Sequence, residues 1–349
     1  MKPSHITGSI LGTAIGDSIG LPYEGLSRHR ASKLLGFPNQ HRLLFGFGMI
    51  SDDTEHTCIV AQSLIASGGN LAEFQNQLAR RLRWWLLGFP AGVGLATLRS
   101  ILKLWFGVSP NKSGVFSAGN GPAMRSAILG VAISDLDRLR EAVRIASRIT
   151  HTDPKAEYGA FAIALAARNA CQTIVSGDDF MAQLNSCLDS DANQLISLIS
   201  QAVDSVKKAE STPQFAAGLG LSGGVSGYVY HSVAVAIHAW LSHQHDYQGA
   251  IIAAVQCGGD TDSIAAMVGG IVGASVGKEG IPTEWLHRLL EPSRSIKWME
   301  CLAKQLGASI QTGTANQPIQ LSVPGLLLRN VLFLLVVLSH GFRRLLPPY

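Results

Sequence analysis

Four glycines, Gly8, Gly12, Gly16 and Gly20, recur every fourth residue through Ile6 to Leu21. In a helix that interval puts all four on one face, bare enough for another helix to approach to backbone contact. Each costs roughly 1 kcal/mol relative to alanine in a helix interior, so the stripe implies close packing or backbone approach. A membrane zipper is the rival reading, but Ser9, Thr13, Asp17 and Ser18 interrupt a run already too short to cross a bilayer. The segment is expected to be a core helix, followed by a Pro- and Gly-bounded loop, Leu21-Pro22-Tyr23-Glu24-Gly25. A second stretch, Ile264 to Gly277, reads as a buried helix rich in small residues.

The chemistry sits where helices begin. Cys257-Gly258-Gly259-Asp260-Thr261-Asp262-Ser263 sets two carboxylates and two hydroxyls on a glycine-loosened turn ahead of that second helix. Far upstream, Ser51-Asp52-Asp53-Thr54 repeats the pattern before a helical stretch from Glu55 to Ala66. A lone Asp or Ser there is an N-cap and nothing more. Four carboxylates on two helix starts suggest one shared site, at the helix end whose dipole favours negative charge. The candidate ligands are hard oxygens with no sulfur or imidazole among them, which favours Mg²⁺, Mn²⁺ or Ca²⁺ over zinc or copper. Without cations several of these acids would have to take up protons, because like charges crowd one another.

With 349 residues, 47% hydrophobic and 15% charged, the chain can bury one large core or at most two smaller ones. Its net charge of +4 is mild, and its Lys and Arg are scattered apart from Arg80-Arg81-Leu82-Arg83 and Arg343-Arg344, so no nucleic-acid surface is read. Five widely spaced cysteines without a C-x-x-C pair fit reduced thiols, and the N-terminal stretch lacks a cleavage-like end; a cytoplasmic location is expected.

Helical patterns cover Leu71 to Leu87, Ala123 to Ile133, Asp135 to Arg148, Lys155 to Thr173, the run after Tyr228 to Leu241, and Ala250 to Gln256. Trp84 and Trp85 read as core or subunit contact. No run alternates as a strand does, so an all-α, single compact multi-helix domain is expected. Three loops carry further polar candidates: Gly119-Asn120-Gly121, whose backbone N–H groups suit an anion; His151 in Thr150-His151-Thr152-Asp153-Pro154; and Tyr228 after Gly227. Gly218-x-Gly220-x-x-Gly223 matches a dinucleotide fingerprint by spacing but follows no strand, and is discounted.

Taken in order, Gly16-Asp17-x-x-Gly20 with Glu24, Ser51-Asp52-Asp53-Thr54, Gly119-Asn120-Gly121-x-x-Met124-Arg125, Thr150-His151-x-Asp153-Pro154 and Gly258-Gly259-Asp260-Thr261-Asp262-Ser263 resemble the signature of the ADP-ribosylglycohydrolases, over roughly residues 5 to 300. Gly227-Tyr228-Val229 is similar to the branch containing dinitrogenase reductase-activating glycohydrolase. The resemblance implies two divalent cations, Mg²⁺ or Mn²⁺, held by Ser51, Asp52, Asp53, Asp260, Asp262 and Ser263. It implies hydrolysis at C1 of the distal ribose of ADP-ribose, releasing it from a modified protein or a small conjugate, with Asp52, Asp53 and Asp262 among the catalytic groups. Glu24 would be the gate or acid/base residue, Gly119, Asn120, Gly121 and His151 would meet the diphosphate, and Tyr228 would stack on a ring. Ser51 and Ser263 stand where many members have threonine, and Ser117 where the nitrogenase-regulating branch has an acid. Two rivals remain: a non-catalytic ADP-ribose-binding or structural relative, and a haloacid-dehalogenase-type phosphatase, which needs a strand ending at Asp260.

The expected organisation is a catalytic domain over residues 1–307, a polar linker over 308–320 and an apolar helical tail over 321–349. The uninterrupted apolar run in the tail, Val331 to Leu338, is eight residues long with Arg329-Asn330 just before it, and about 20 would be needed for a span. Docking on the catalytic domain or a second subunit is preferred to a peripheral membrane contact with Arg329, Arg343 and Arg344 toward headgroups. Because every motif lies upstream, hydrolysis is expected to survive removal of residues 321–349.

Overall fold

The structure is a computed structural model describing residues 2–172 and 174–345. Seventeen α-helices and no strand occur among the described residues. The N-terminal half comprises α1 (Pro3–Gly20), α2 (Arg28–Leu35), α3 (Asp52–Ser67), α4 (Leu71–Leu86), α5 (Leu95–Trp105), α6 (Ala127–Ala132), α7 (Leu136–Arg148) and α8 (Pro154–Ala170). The rest are α9 (Gly177–Cys187), α10 (Asn193–Lys207), α11 (Thr212–Gly218), α12 (Val229–Ser242), α13 (Tyr247–Val255), α14 (Thr261–Val276), α15 (Thr283–His287), α16 (Ile296–Thr312) and α17 (Val323–Arg344).

The central pair is α1 against α14, antiparallel and in backbone contact. A methyl group on Gly8, Gly12 or Gly16 would lie 2.0, 2.1 and 2.1 Å from the carbonyl oxygens of Gly273, Gly269 and Ala265, and one on Gly20 would lie 2.4 Å from that of Thr261. No side chain fits there, so the glycine stripe is the condition for the pairing. Side chains reach into the seam to take up backbone acceptors: Thr261 Oγ1 donates to Gly20 O at 2.9 Å, and Tyr247 from α13 donates to Gly12 O at 2.6 Å. Helices α3, α8, α12, α13 and α16 pack around the pair and close one continuous core.

Several elements differ from the sequence expectation. The stretch Ala123 to Ile133 is a 3₁₀ turn, Ala123–Arg125, followed by the short α6. The linker expected at 308–320 begins later, because α16 continues to Thr312 and stops at Gly313, whose φ of 65° suits a residue without Cβ. The segment beyond Gly313 is pinned to α3: Asn316 N donates to Ile65 O at 3.0 Å and Gln62 Nε2 to Ile319 O at 2.8 Å. The segment before Asp260 is helix α13 and a turn, so the phosphatase rival lacks the strand it requires. Trp85 is buried, edge-on to His56 at 4.4 Å, whereas Trp84 is 64% exposed.

Helix α17 docks on the catalytic domain, as preferred from the sequence, and corrects only the alternative that placed Arg329 at headgroups. With 22 residues and a mean hydropathy of 1.8 over its most apolar window, it is long and apolar enough to cross a membrane by those criteria alone. Yet Arg329 and Asn330 point into the protein. Arg329 pairs with Glu291 and, at 3.5 Å, with Glu55, and donates to the carbonyl of Ile50; Asn330 Nδ2 donates to Gly88 O at 2.7 Å. Arg294 reaches the same Glu55 at 2.6 Å. Removing one partner of so buried a pair costs about 3–5 kcal/mol. Arg329 is therefore no headgroup ligand, and through it the tail reaches the carbonyl of the residue preceding Ser51.

Candidate active site

The site is assembled from three helix ends. Asp17, fully buried on α1, receives Ser51 N at 2.9 Å, Thr54 N at 3.2 Å and the Thr54 hydroxyl on one carboxylate oxygen, fixing the first turn of α3 and hence Asp52 and Asp53. Ser51 caps that helix: its hydroxyl accepts from Asp53 N and donates to Asp53 Oδ2 at 3.0 Å. The Gly258-Gly259 turn has φ of 71° and 81°, and a Cβ on Gly259 would meet Val225 O at 2.0 Å. Only glycine fits at both points. The turn is tied to the Glu24 loop by Gly25 N to Gly259 O at 2.7 Å and to Val225 by Asp260 N to Val225 O at 2.8 Å. Asn120 Nδ2 then donates to Asp260 Oδ2 at 2.6 Å, aiming the carboxylate.

These elements surround a cleft of about 300 Å³. Asp52, Asp53, Asp260, Asp262, Ser263 and Glu24 line one side; Gly119, Asn120, Gly121, His151 and Ser117 line another, with Gly92, Gly94 and the first turn of α5, to Thr97, completing the wall. A larger cleft of about 670 Å³ beside Tyr23 and Arg28 contains no carboxylate, so it is not the centre of this chemistry.

Burial comes first and mutual repulsion second in setting the acids. Asp53 and Asp262 are held well above the usual carboxylate range by desolvation and then by neighbouring acids, Asp17 and Asp52 for the former and Glu24 and Asp53 for the latter. Asp52 is raised in the same way, by burial and then Asp17 and Glu55. Burial raises Asp260, against the lowering effect of its Asn120 bond, and lifts Asp17 to about 7. Glu24 stands at the exposed rim; desolvation by the cleft walls and then Asp260 raise it, less firmly than the enclosed acids, while Arg344 pulls it down. Burial and the Arg125 guanidinium push His151 down to about 3, so its ring is neutral at pH 7.

Oδ1 of both Asp17 and Asp53 is buried without a hydrogen-bond partner. Crowded oxygens with unused lone pairs fit a hard divalent cation. Among the described residues, no three acidic, His or Cys side chains already converge on one point as ligands, so this is a donor set rather than a closed cage.

Two sequence candidates fall outside the cleft lining. Ser51 spends its hydroxyl on the α3 cap. Tyr228 meets the site only through its backbone, opposite Gly119 in a bridge. Its ring lies edge-on to His231 at 4.9 Å, and its hydroxyl donates to Gln194 at 3.4 Å. Four contributors escaped the sequence reading: Asp17 as organiser of the Ser51 turn, the Gly92 to Thr97 wall, Arg125 as the buried support of Thr150 at 2.7 Å, and Arg344. Asp17 left a signal, an acid inside a glycine-striped core helix, and Arg125 stands in the Gly119-Asn120-Gly121 motif.

An all-α chain that gathers five carboxylates from three helix ends into one cleft, opposite a glycine- and histidine-lined wall, has the construction of a helical hydrolase. The ADP-ribosylglycohydrolase family model matches residues 2–316. The chain belongs to that family and is an enzyme of that class. It is 30% identical to an uncharacterized protein of Archaeoglobus fulgidus over 304 residues, covering 85% of this chain and 94% of the relative. It is 28% identical to ADP-ribosylhydrolase ARH3 of Gallus gallus (81% and 88% covered) and 26% identical to the ADP-ribosyl-[dinitrogen reductase] glycohydrolase of Rhodospirillum rubrum (81% and 89%). A solved structure, described as an ADP-ribosylglycohydrolase-related protein complex, superposes with a TM-score of 0.67 at 26% identity, covering 88% of this chain and 98% of its own.

Proposed function

We propose that this protein is a divalent-cation-dependent hydrolase that cleaves the glycosidic bond at C1 of the distal ribose of ADP-ribose, freeing a protein side chain or a small acceptor. The carrying observation is the enclosed acid cluster, in which Asp52, Asp53 and Asp262 are all driven far from their ordinary ionisation. Asp52, Asp53, Asp260, Asp262 and Ser263 would hold two cations, Mg²⁺ or Mn²⁺, with Ser51 shaping the turn they rest on. Such cations supply charge balance and Lewis acidity beside the ribose.

The protein's own groups do the rest. Glu24, raised and at the rim, can carry a proton to the departing acceptor or take one from water, and its loop gates the cleft. The carboxylates face the sugar, where they offset the positive charge that grows on an oxocarbenium-like ribose. Gly119 and Gly121 keep the opposite wall thin: a methyl on either would lie 3.2 or 3.1 Å from the His151 ring. Neutral His151 and the backbone N–H groups of this turn would meet the diphosphate. The five cysteines are free thiols, which supports a reducing, cytoplasmic setting for the enzyme.

The test is release of ADP-ribose from ADP-ribosyl-arginine, ADP-ribosyl-serine and O-acetyl-ADP-ribose, with Mg²⁺ or Mn²⁺ and with a chelator. Cation-dependent release from at least one supports the reading. Release unaffected by chelation removes the cations from it, and no release from any of them returns the protein to a binding role.

A further inference from the structure

Helix α17 has two unlike faces. Its inner face, with Arg329, Asn330, Phe333 and Val336, is buried. Its outer face presents Leu328, Val331, Leu335, Leu338 and Phe342, each between 48% and 73% exposed. Their spacing of three and four residues makes one stripe along the whole helix. A contiguous apolar strip of this extent marks a surface made to be covered.

The loops flanking the helix point the same way. Asn330 binds Gly88 O, and His340 Nε2 contacts Leu43 O, so α17 lies between these two loops. Each loop carries an exposed phenylalanine, Phe45 at 95% and Phe89 at 77%. Both have positive φ, 49° and 54°, a conformation that bulky residues rarely adopt. Strained backbone that holds an aromatic ring out into water is a cost without return unless the ring is received by something apolar.

Charge decides between occupants. After Glu300 the chain has no acidic residue. Arg80 and Arg81 line the groove beside Val323 and Leu327, and Arg343 is in the last turn of the helix. A self-complementary contact with the two helices parallel would bring Arg80 and Arg81 face to face with their own copies. A bilayer with anionic headgroups complements them. A transmembrane span would strip Arg329 from Glu291 and Glu55 and place it in hydrocarbon.

We propose that the outer face of α17, with Phe45 and Phe89 beside it, seats this protein in the interfacial plane of an anionic bilayer, its apolar side chains among the acyl chains and its arginines at the headgroups. The proposal is independent of which ADP-ribose linkage the cleft opens.

The test uses the full chain with vesicles of phosphatidylcholine alone or mixed with phosphatidylserine, followed by flotation. Binding to the mixed vesicles and not to the neutral ones is expected. Leu328→Asp with Leu335→Asp, and separately Phe45→Ser with Phe89→Ser, should each weaken binding by about tenfold or more. Circular dichroism should be unchanged, because none of these side chains is buried, and so should turnover in solution. Arg80→Glu with Arg81→Glu should weaken binding while leaving the apolar stripe intact. The proposal is overturned if neither vesicle binds. It is equally overturned if the wild type is a dimer that Leu328→Asp with Leu335→Asp splits without changing vesicle binding, which would make the stripe a subunit contact. Retention on vesicles through alkaline carbonate would instead mean a span.

Discussion

Arg344 donates to the main-chain carbonyl of Glu24 at 2.7 Å, 320 positions away in the chain, and to that of Pro22 at 2.9 Å. The loop carrying the candidate acid/base residue is thus held from the last turn of α17, beyond the stretch that matches the family. Replacing Arg344 by Ala should lower kcat by about three- to tenfold, in the range of a lost positioning contact, with little change in KM. Because the guanidinium also lowers the Glu24 pKa, the acid limb of the pH profile should move to higher pH. Lysine at 344 should restore part of both. An unmoved profile in Arg344→Ala would leave the contact purely structural.

Asp260→Asn and Glu24→Gln should separate two roles. Asp260→Asn, like Asp52→Asn, deletes a charged oxygen from the donor set and should abolish Mn²⁺ uptake and turnover with the fold retained. Glu24→Gln should keep the Mn²⁺ isotherm and lose at least about tenfold in turnover, the loss expected for acid/base assistance. Isothermal titration of the three variants beside wild type decides it: equal Mn²⁺ affinity in Asp260→Asn and Asp52→Asn contradicts a shared site.

The acid cluster also fixes the sign of a pH effect. Asp17 rises from 3.8 to about 7 on folding, and Asp52, Asp53 and Asp262 rise as well. Groups with raised folded pKa stabilise fully below their unfolded pKa, and that stability is lost as pH rises through the folded one, for Asp17 between about 4 and 7. Without divalent cations the protein should therefore melt lower at about pH 8 than at about pH 5. Mn²⁺ should raise the melting temperature more at the higher pH, where it replaces departed protons. Scanning fluorimetry with and without chelator reads this directly, and an equal Mn²⁺ increment at both values would contradict it.

Gly12→Ala should destabilise by about 1–3 kcal/mol or more, the cost of forcing a methyl into a packed seam, because the new carbon would fall 2.1 Å from Gly269 O. Gly218→Ala, where nothing lies within 4 Å, is the control and should be neutral or slightly stabilising. Urea midpoints for the two variants make the comparison.

What could be read from the sequence was local. The stripe at Gly8 to Gly20 obeys a helical interval, and the two acid clusters stand directly before helices, so the all-α class and the main carboxylates come from neighbours in the chain. Arg344 and Arg329 act across hundreds of residues and leave no such trace. Tyr228 is ambiguous for a related reason: a tyrosine before a helix reads the same whether its ring or its backbone meets a site, and here the backbone bridges to Gly119. Asp17 was visible but could be interpreted only once α1 was known to run beside Ser51. Helices α9 and α11 are short, and α10, though 15 residues long, carries neither a glycine stripe nor an acid cluster at its start to single it out.

The glycine seam has a consequence for synthesis. Helix α1 leaves the ribosome long before α14, the surface it fits. Until residue 276 has emerged, the bare face of α1 has no native partner and the two acid clusters cannot meet. Pairing across so long a separation is slow, so the nascent chain must wait in an incompletely packed state that chaperones can recognise. A message truncated before Asp260 lacks the second acid cluster altogether, and so yields a protein without the site rather than with a weakened one.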